Sequence, residues 1–206
     1  RRSSREPVRP GSQPLLALIY DNDSADQLAR TIPSVPFGLG PKLALWLDAN
    51  DSSTITHLDG NVSQWRDKSG NNLHVVQETN ASKPKTSVHT QNGLNLLTFD
   101  GDDFLQKTSS NVLNRNLTCF LVAQVDTGGV DNTQDGIISY GNPGNGRWEI
   151  RASSASVFNS KLAKNSTWIS TVNHATALGT FHLVTVTFDI NASTPSMWVH
   201  GTLVNA

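Results

Sequence analysis

Short strand-like segments that stop abruptly at turn-forming residues dominate this chain from residue 41 onward. The segments 43–47, 62–65 and 94–99 each run into a cluster of Asp, Ser, Gly or Asn. Segments of four to six residues bounded in this way are typical of β-strands joined by turns. Glu occurs only three times in 206 residues, although it is among the residues that favour exposed helices. We therefore predict an all-β protein.

The C-terminal half shows the same pattern over longer segments. Leu117–Val125 has apolar residues at positions that point to both faces of a strand. This pattern predicts a central strand covered on both faces. Phe181–Asp189 alternates strictly, with His182, Val184, Val186 and Phe188 on one face. Ser196–His200 should pair with it in antiparallel fashion. We also predict hairpin turns at Asp100–Gly101 and at His200–Gly201.

The first forty residues differ in composition from the rest. Residues 1–14 contain four arginines and three prolines, which is typical of a solvated arm or linker and leaves docking on a partner surface or on nucleic acid as the alternative. A short strand at 15–20 and a capped helix from Ser24 to about Arg30 follow. The Pro- and Gly-rich segment 33–41 then predicts a boundary between an arm, 1–40, and a sandwich domain, 41–206.

Three pieces of sequence occur in an order that resembles a known family. They are LWLDA at 45–49, QWRDKSGN at 64–71 and LLTFDGDDFL at 96–105. Their order resembles the laminin-G-like branch of the concanavalin A-like lectin and glucanase superfamily. The resemblance implies an antiparallel β-sandwich of jelly-roll type. Because that family's pattern continues beyond residue 201, we expect the sandwich in this chain to be incomplete at the C-terminus.

Charge and hydropathy narrow the range of partners. The formal net charge is −1, so an extended basic surface for nucleic acid is not expected. No apolar run approaches the roughly 20 residues that span a bilayer, and we expect no membrane insertion. The single cysteine, Cys119, alternates with Leu117 and Leu121 and should be a small buried apolar residue.

The residues offer little support for catalysis. Glycoside hydrolysis ordinarily needs two carboxyl groups about 5–10 Å apart, one of them protonated. Glu149 lies between Arg147 and Arg151, whose charges favour its ionised form, so we expect it to belong to a solvated ladder of charges. The chain has no G-x-S-x-G or H-E-x-x-H motif, and its six histidines lack metal-ligand spacing. We predict that the domain is not an enzyme.

A calcium site is the minority alternative at one loop. Asp100, Asp102 and Asp103 could supply carboxylate oxygens to Ca²⁺, as several laminin-G-like domains do at a loop rim. Acidic residues are also common in turns that bind no ion. We expect a metal-free turn and no cofactor.

Glycan binding requires exposed aromatic rings beside groups that form hydrogen bonds. Trp148 and Trp168 lie among Asn, Gly and Ser and are the candidate platforms, with Asn145 and Arg147 as neighbouring polar contacts; a half-buried packing role remains the alternative for both rings. Trp46 and Trp65, in the family-like motifs, and Phe99 are predicted to be buried.

The resemblance implies a non-catalytic recognition or adhesion module at an extracellular, cell or virion surface. Such a module would bind a glycan or a surface protein and would belong to a larger assembly, for example in a bacteriophage virion. The alternative is a structural or decoration subunit that makes only protein–protein contacts. A glycoside hydrolase or lyase is the least favoured reading.

Overall fold

The computed structural model describes eleven stretches of the chain. They are residues 17–21, 42–108, 116–125, 135–141, 147–152, 157–164, 167–175, 177, 179–189, 192 and 194–204. The arm before residue 17, the predicted helix near residues 24–30 and the connector at 33–41 lie outside them.

These stretches contain fifteen β-strands and two single-turn 3-10 helices, at Ser52–Thr54 and Asn80–Ser82. The strands are β1 Ala17–Asp21, β2 Leu43–Leu47, β3 Ile55–Leu58, β4 Asn61–Trp65, β5 Val75–Val76, β6 Lys85–Gln91, β7 Leu94–Thr98, β8 Leu117–Gln124, β9 Asp135–Gly141, β10 Arg147–Ala152, β11 Val157–Lys164, β12 Thr167–Ala175, β13 Phe181–Phe188, β14 Ser196–Val199 and β15 Thr202–Leu203. The all-β prediction is confirmed.

The strands form three antiparallel sheets. A six-stranded sheet has the order β15-β14-β13-β8-β1-β2, and a four-stranded sheet has the order β12-β11-β10-β9. A five-stranded sheet has the order β3-β4-β6-β7, with β5 also pairing with β4. This arrangement is consistent with the predicted β-sandwich. Strand β8 is central, as expected, because it pairs with both β1 and β13.

Strand β1 comes from the segment that the sequence assigns to the arm. Residues 17–21 nevertheless pair with β2 on one side and with β8 on the other. The six-stranded sheet therefore includes this segment, and the composition change near residue 40 does not mark the edge of the sheet.

Three tight hairpins use the residues that such turns demand. Asp59–Gly60, Asn92–Gly93 and His200–Gly201 all have positive φ at both positions, between 50° and 84°. Two consecutive positive φ angles are the signature of a type I′ turn, whose twist matches that of the flanking strands. The predicted hairpin at His200–Gly201 is confirmed, and it joins β14 to β15.

The hairpin predicted at Asp100–Gly101 is wrong. Strand β7 already pairs with β6 through the turn at Asn92–Gly93. After residue 98 the chain forms bends and reaches an isolated bridge between Gln106 and Val76. Because β6, which precedes β7 in sequence, already pairs with it, β7 forms no second hairpin after Asp100.

Buried side chains from all three sheets form one hydrophobic cluster. The alternation in β13 is confirmed, since its four inward residues are 0–8% exposed. In β8 the first three alternate residues are buried while the opposite face is only partly covered, so the prediction of two covered faces is wrong. Cys119 is buried, as expected, and burial raises the pKa of its thiol to about 12.

The prediction for three aromatic residues is confirmed for two. Trp46 and Trp65 are 5% and 4% exposed, whereas Phe99 is 44% exposed. Phe99 follows the last residue of β7 and so leaves the sheet before its ring can reach the core. No helix within the described stretches is long and apolar enough to cross a membrane.

Candidate functional site

The predicted aromatic platform at Trp148 is buried. Its side chain is 4% exposed and stacks on Phe188 with ring centroids 5.0 Å apart and on Tyr140 at 6.2 Å. Trp148 alternates with Ile150 on the face of β10 that meets the core. The exposed-platform interpretation of Trp148 is therefore wrong, because β10 directs this ring into the core.

Two of the three ionic residues on the other face of β10 are also buried, and the third, Arg147, is partly exposed. Glu149 is 2% exposed and contacts Arg147 at 2.6 Å and Arg151 at 3.0 Å. Arg151 also donates a hydrogen bond to Asn159 on β11. The expected solvated ladder is thus a buried ion-pair cluster, and Arg147 serves it as a partner of Glu149.

The two remaining residues of the predicted glycan site are Trp168 and Asn145. Trp168 lies in β12, where its backbone pairs with Ala163 of β11. Asn145 lies outside the described residues.

The three aspartates of the predicted calcium loop lie close together. Asp100, Asp102 and Asp103 each place a carboxylate oxygen within 4.8 Å of the others. The Asp100 N–H donates to Asp103 Oδ2 at 3.2 Å. Partial burial, together with the negative charge of Asp100, raises the pKa of Asp103 to about 6. Hydrogen bonds within the loop lower the pKa of Asp100. The loop could offer carboxylate oxygens to a cation, and the metal-free turn remains a prediction.

Two histidines that are separate in sequence meet in the structure. His200 Nε2 lies 3.2 Å from His182 Nδ1, and His182 Nε2 lies 3.2 Å from the carbonyl oxygen of Ala177. Because that carbonyl can only accept, the His182 proton lies on Nε2 in the neutral ring and Nδ1 accepts from His200. The pair connects the β14–β15 turn to β13.

The motif residues around Asp67 hold two segments of chain together. The Asp67 carboxylate accepts four hydrogen bonds, from the backbone N–H groups of Trp46, Ser69 and Leu73 and from the Ser69 hydroxyl. Asp67 is itself buried. These four donors satisfy the buried carboxylate within the protein. The carboxylate fastens the 66–73 loop to β2.

Lys68 fixes the loop that follows β2. Its ammonium lies 2.9 Å from Asp48 and 2.8 Å from Asp51, and 4.2 Å from the centroid of the Trp46 ring. Burial lowers the pKa of Lys68, but the hydrogen bonds that Lys68 donates to Asp51 and Asp48 outweigh this effect, and the net pKa is raised. The Lys68 hydrogen bond lowers the pKa of Asp51. Asp48 also accepts the Asn50 N–H at 3.1 Å.

Asn95 of β7 connects this loop to strand β6. Its side-chain nitrogen donates to the carbonyl of Ala49 at 2.7 Å and to the hydroxyl of Thr86 at 2.9 Å. Its side-chain oxygen accepts the Ser87 N–H at 2.9 Å, and its own N–H donates to Asn50 Oδ1 at 3.2 Å. One amide side chain thereby joins the 48–54 loop and β6.

Strand β6 bulges where Asn95 meets it. Thr86 pairs with Leu97 and Thr90 pairs with Asn95, so three residues of β6 lie opposite one residue of β7. Ser87, the first of the three, has φ +64°. Bulges of this kind re-aim side chains and often occur next to binding sites.

An open cleft of about 340 Å³ lies between the loop and the bulge. It is lined by nine residues: Asn50, Ser52, Ile55, His57, Thr86, Ser87, Thr90, Gly93 and Asn95. Seven of them carry hydroxyl, amide or imidazole groups, and none carries a carboxylate, ammonium or guanidinium group. We take this cleft as the candidate site.

Sequence patterns did not identify the cleft. The Asn92–Gly93 dipeptide signals the β6–β7 hairpin and could have placed Thr90 opposite Asn95. The bulge is a long-range register change between paired strands and has no sequence signal of its own. The cleft follows from that register change.

The fold and site define an all-β protein of several antiparallel sheets. An uncharged polar cleft lies beside the 48–54 loop, which Lys68 and Asn95 hold in place. No family model, curated protein or solved structure matches the chain.

Proposed function

We propose that this chain is a non-catalytic recognition or adhesion module of laminin-G-like type. It would bind a glycan or a surface protein as part of a larger extracellular or bacteriophage virion assembly. The observation that carries the proposal is the cleft. Its walls are held in place by Lys68, Asp48 and Asn95, while other polar groups that face it have no partner among the described residues.

The buried carboxylates support the non-catalytic part of the proposal. A carboxyl group that acts as a general acid must reach the substrate within hydrogen-bonding distance. Among the described residues, the three buried carboxylates are Asp48, Asp67 and Glu149. Asp48 pairs with Lys68, and Asp67 accepts hydrogen bonds from backbone N–H groups. Glu149 pairs with two arginines.

A glycan array probed with the recombinant chain tests this proposal. We expect binding to a subset of glycans and no release of reducing ends on prolonged incubation. Silence across the array, together with stable multimers in solution, would instead support a structural subunit.

One observation favours that second candidate. On the outer face of the six-stranded sheet, Leu183 and Leu203 are 43% and 46% exposed. Partly exposed Val122 lies opposite Leu183, and partly exposed Trp198 lies opposite Leu203. Contiguous exposed apolar side chains mark protein contacts in many proteins.

A subunit that assembles through this face should dissociate when the face is charged. Leu183→Glu would then shift the chain to a smaller species in light scattering. Leu58→Glu, at a residue that is 76% exposed on β3, is the matched control.

A further inference from the structure

We infer that the cleft between the 48–54 loop and the β6 bulge binds one neutral, polyhydroxylated unit, such as an uncharged hexose of a glycan. The inference rests on the proposed recognition function and specifies its ligand class and its contact residues. Three properties of the lining support it: its charge, its free hydrogen-bonding groups and its shape.

The charge of the lining selects against ionic ligands. None of the nine lining residues carries a carboxylate, ammonium or guanidinium group. Asp48 and Asp51, the second of which lies between Asn50 and Ser52, share the single cation Lys68, so this cluster keeps a formal charge of −1. A ligand carboxylate would lose hydration in the cleft without gaining an opposite charge, and the two carboxylates nearest to a ligand ammonium already bind Lys68.

The free polar groups match sugar hydroxyls. The hydroxyls of Ser52, Ser87 and Thr90 and the side-chain nitrogen of Asn50 make no hydrogen bond with any other described residue. Each hydroxyl can donate one hydrogen bond and accept others, as a sugar hydroxyl does. Hydroxyl and amide pairs can therefore satisfy both partners without any change in protonation.

His57 adds a donor of defined direction. Its Nδ1 accepts the Gly60 N–H at 3.3 Å within the β3–β4 turn. In the neutral ring the proton is then on Nε2, which is available to donate. In this tautomer His57 offers an N–H donor, as the hydroxyl and amide groups of the lining also can.

The remaining lining residues provide an apolar surface and space. Ile55, a core residue that is 9% exposed, is the one lining residue with an apolar side chain. At Gly93, an added Cβ would meet no atom within 4 Å. The volume of about 340 Å³ lies at the low end of the range for small-molecule sites, roughly 300–1,000 Å³. One sugar unit is therefore a better fit than a longer segment of chain.

The cleft is also largely pre-formed. Asn95 joins both walls through hydrogen bonds of 2.7–3.2 Å, and Lys68 holds the loop that carries Asn50 and Ser52. Little ordering is then required when a ligand binds, which favours affinity. An open site for a single unit still predicts dissociation constants on the order of 1 mM.

Titration of the isotope-labelled chain, followed by amide NMR, tests the inference. The probes are glucose, galactose and mannose, with glucuronic acid and glucosamine as charged counterparts. We expect at least one neutral hexose to shift the amides of Asn50, Ser52, Ser87 and Thr90, with weaker effects from the charged sugars.

The variant Ser52→Ala/Thr90→Val should bind that hexose at least tenfold more weakly, since two hydroxyl contacts are lost. Its thermal midpoint should match the wild type, because neither hydroxyl bonds to another described residue. Thr79→Val, an exposed hydroxyl outside the cleft, should bind as the wild type does.

Each other outcome has a distinct meaning. Equal binding by wild type and double variant overturns the assignment of the cleft but leaves the recognition function standing. Tighter binding of a charged sugar overturns the ligand class. A positive glycan array without hexose shifts in the cleft overturns this inference alone, whereas silence in both experiments, together with stable multimers in solution, overturns the proposed function as well.

Discussion

The backbone N–H of Ser87, a residue with φ +64°, donates to the side-chain oxygen of Asn95 at 2.9 Å. A non-glycine residue in this region of φ is disfavoured unless its surroundings stabilise it. Asn95 provides that stabilisation from the neighbouring strand and also contacts the 48–54 loop. The conformation of the bulge and the position of the loop therefore depend on the same side chain.

Replacing Asn95 by Ala should destabilise the protein and disorganise the cleft. Three hydrogen bonds of its side chain would be lost, and partly buried groups would be left without partners, at a cost of about 2–3 kcal/mol. Urea unfolding measures the change. Asn80→Ala, at an exposed site, is the control and should stay within about 0.5 kcal/mol of the wild type. Equal stability of both variants would contradict the role given to Asn95.

Lys68→Met should lower the free energy of unfolding more than most substitutions of partly exposed polar residues do. It leaves Asp48, whose side chain is 2% exposed, without its cation. Loss of one partner of a buried pair costs about 3–5 kcal/mol, and the 20% exposure of Lys68 reduces our expectation to about 2–3 kcal/mol.

The double variant Lys68→Met/Asp48→Asn should recover part of that loss, because it removes the buried unpaired charge and leaves only that of the more exposed Asp51. Chemical denaturation of the single and double variants gives the coupling energy. A double variant no more stable than Lys68→Met would show that the ion pair is not what holds the loop.

The opposite exposures of two aromatic residues predict different costs of truncation. Trp65 is 4% exposed and should cost about 3–5 kcal/mol as Trp65→Ala, which lowers the thermal midpoint clearly. Phe99 is 44% exposed and should cost far less as Phe99→Ala. Thermal melts of both variants test the placement of the core, which would be wrong if Trp65→Ala left the midpoint unmoved.

Calcium should have no effect on stability if the loop at Asp100–Asp103 is a metal-free turn. A ligand that binds only the folded state adds about 2.7 kcal/mol at a hundredfold excess over its dissociation constant. We expect melts in excess Ca²⁺ and in EDTA to coincide. An upward shift with Ca²⁺ that Asp102→Asn and Asp103→Asn abolish would establish a metal site at this loop.

The same loop predicts a pH dependence. The pKa of Asp103 is raised to about 6, so the folded state binds this proton more tightly than the unfolded state does. Proton binding at Asp103 therefore adds to the free energy of unfolding. This contribution is fully present below the ordinary pKa of 3.8 and is lost as the pH rises through about 6. Because Asp103 is only partly buried, we expect a loss of at most about 1 kcal/mol.

The variant Asp103→Asn should not show this loss of stability with rising pH. Its free energy of unfolding should therefore change less than that of the wild type between about pH 4 and 7. Urea unfolding at several pH values measures the difference. Asp59→Asn, in a hairpin turn outside the cluster, is the matched control and should follow the wild type. Parallel curves for wild type and Asp103→Asn would rule out the proton-binding role of the loop.

The sequence alone determined the features that depend on local patterns. Alternation in 181–189 assigned the inward face of β13 correctly, because successive side chains in a strand point to opposite faces. The His200–Gly201 turn was predicted because type I′ geometry requires residues that tolerate positive φ. Trp46 and Trp65 were predicted as core because each lies at a strand segment next to a turn.

Only the tertiary structure decided which surfaces are covered and which strands pair. Alternation placed Glu149 between two arginines, but burial of that face depends on packing that no local pattern encodes. Trp148 lies among turn-forming residues in sequence, yet its strand turns the ring toward Phe188. The cleft depends on a register change between β6 and β7 and on a loop 45 residues away from Asn95. Such contacts join residues that are distant in sequence, so their geometry is set by the assembled sheets rather than by any single segment.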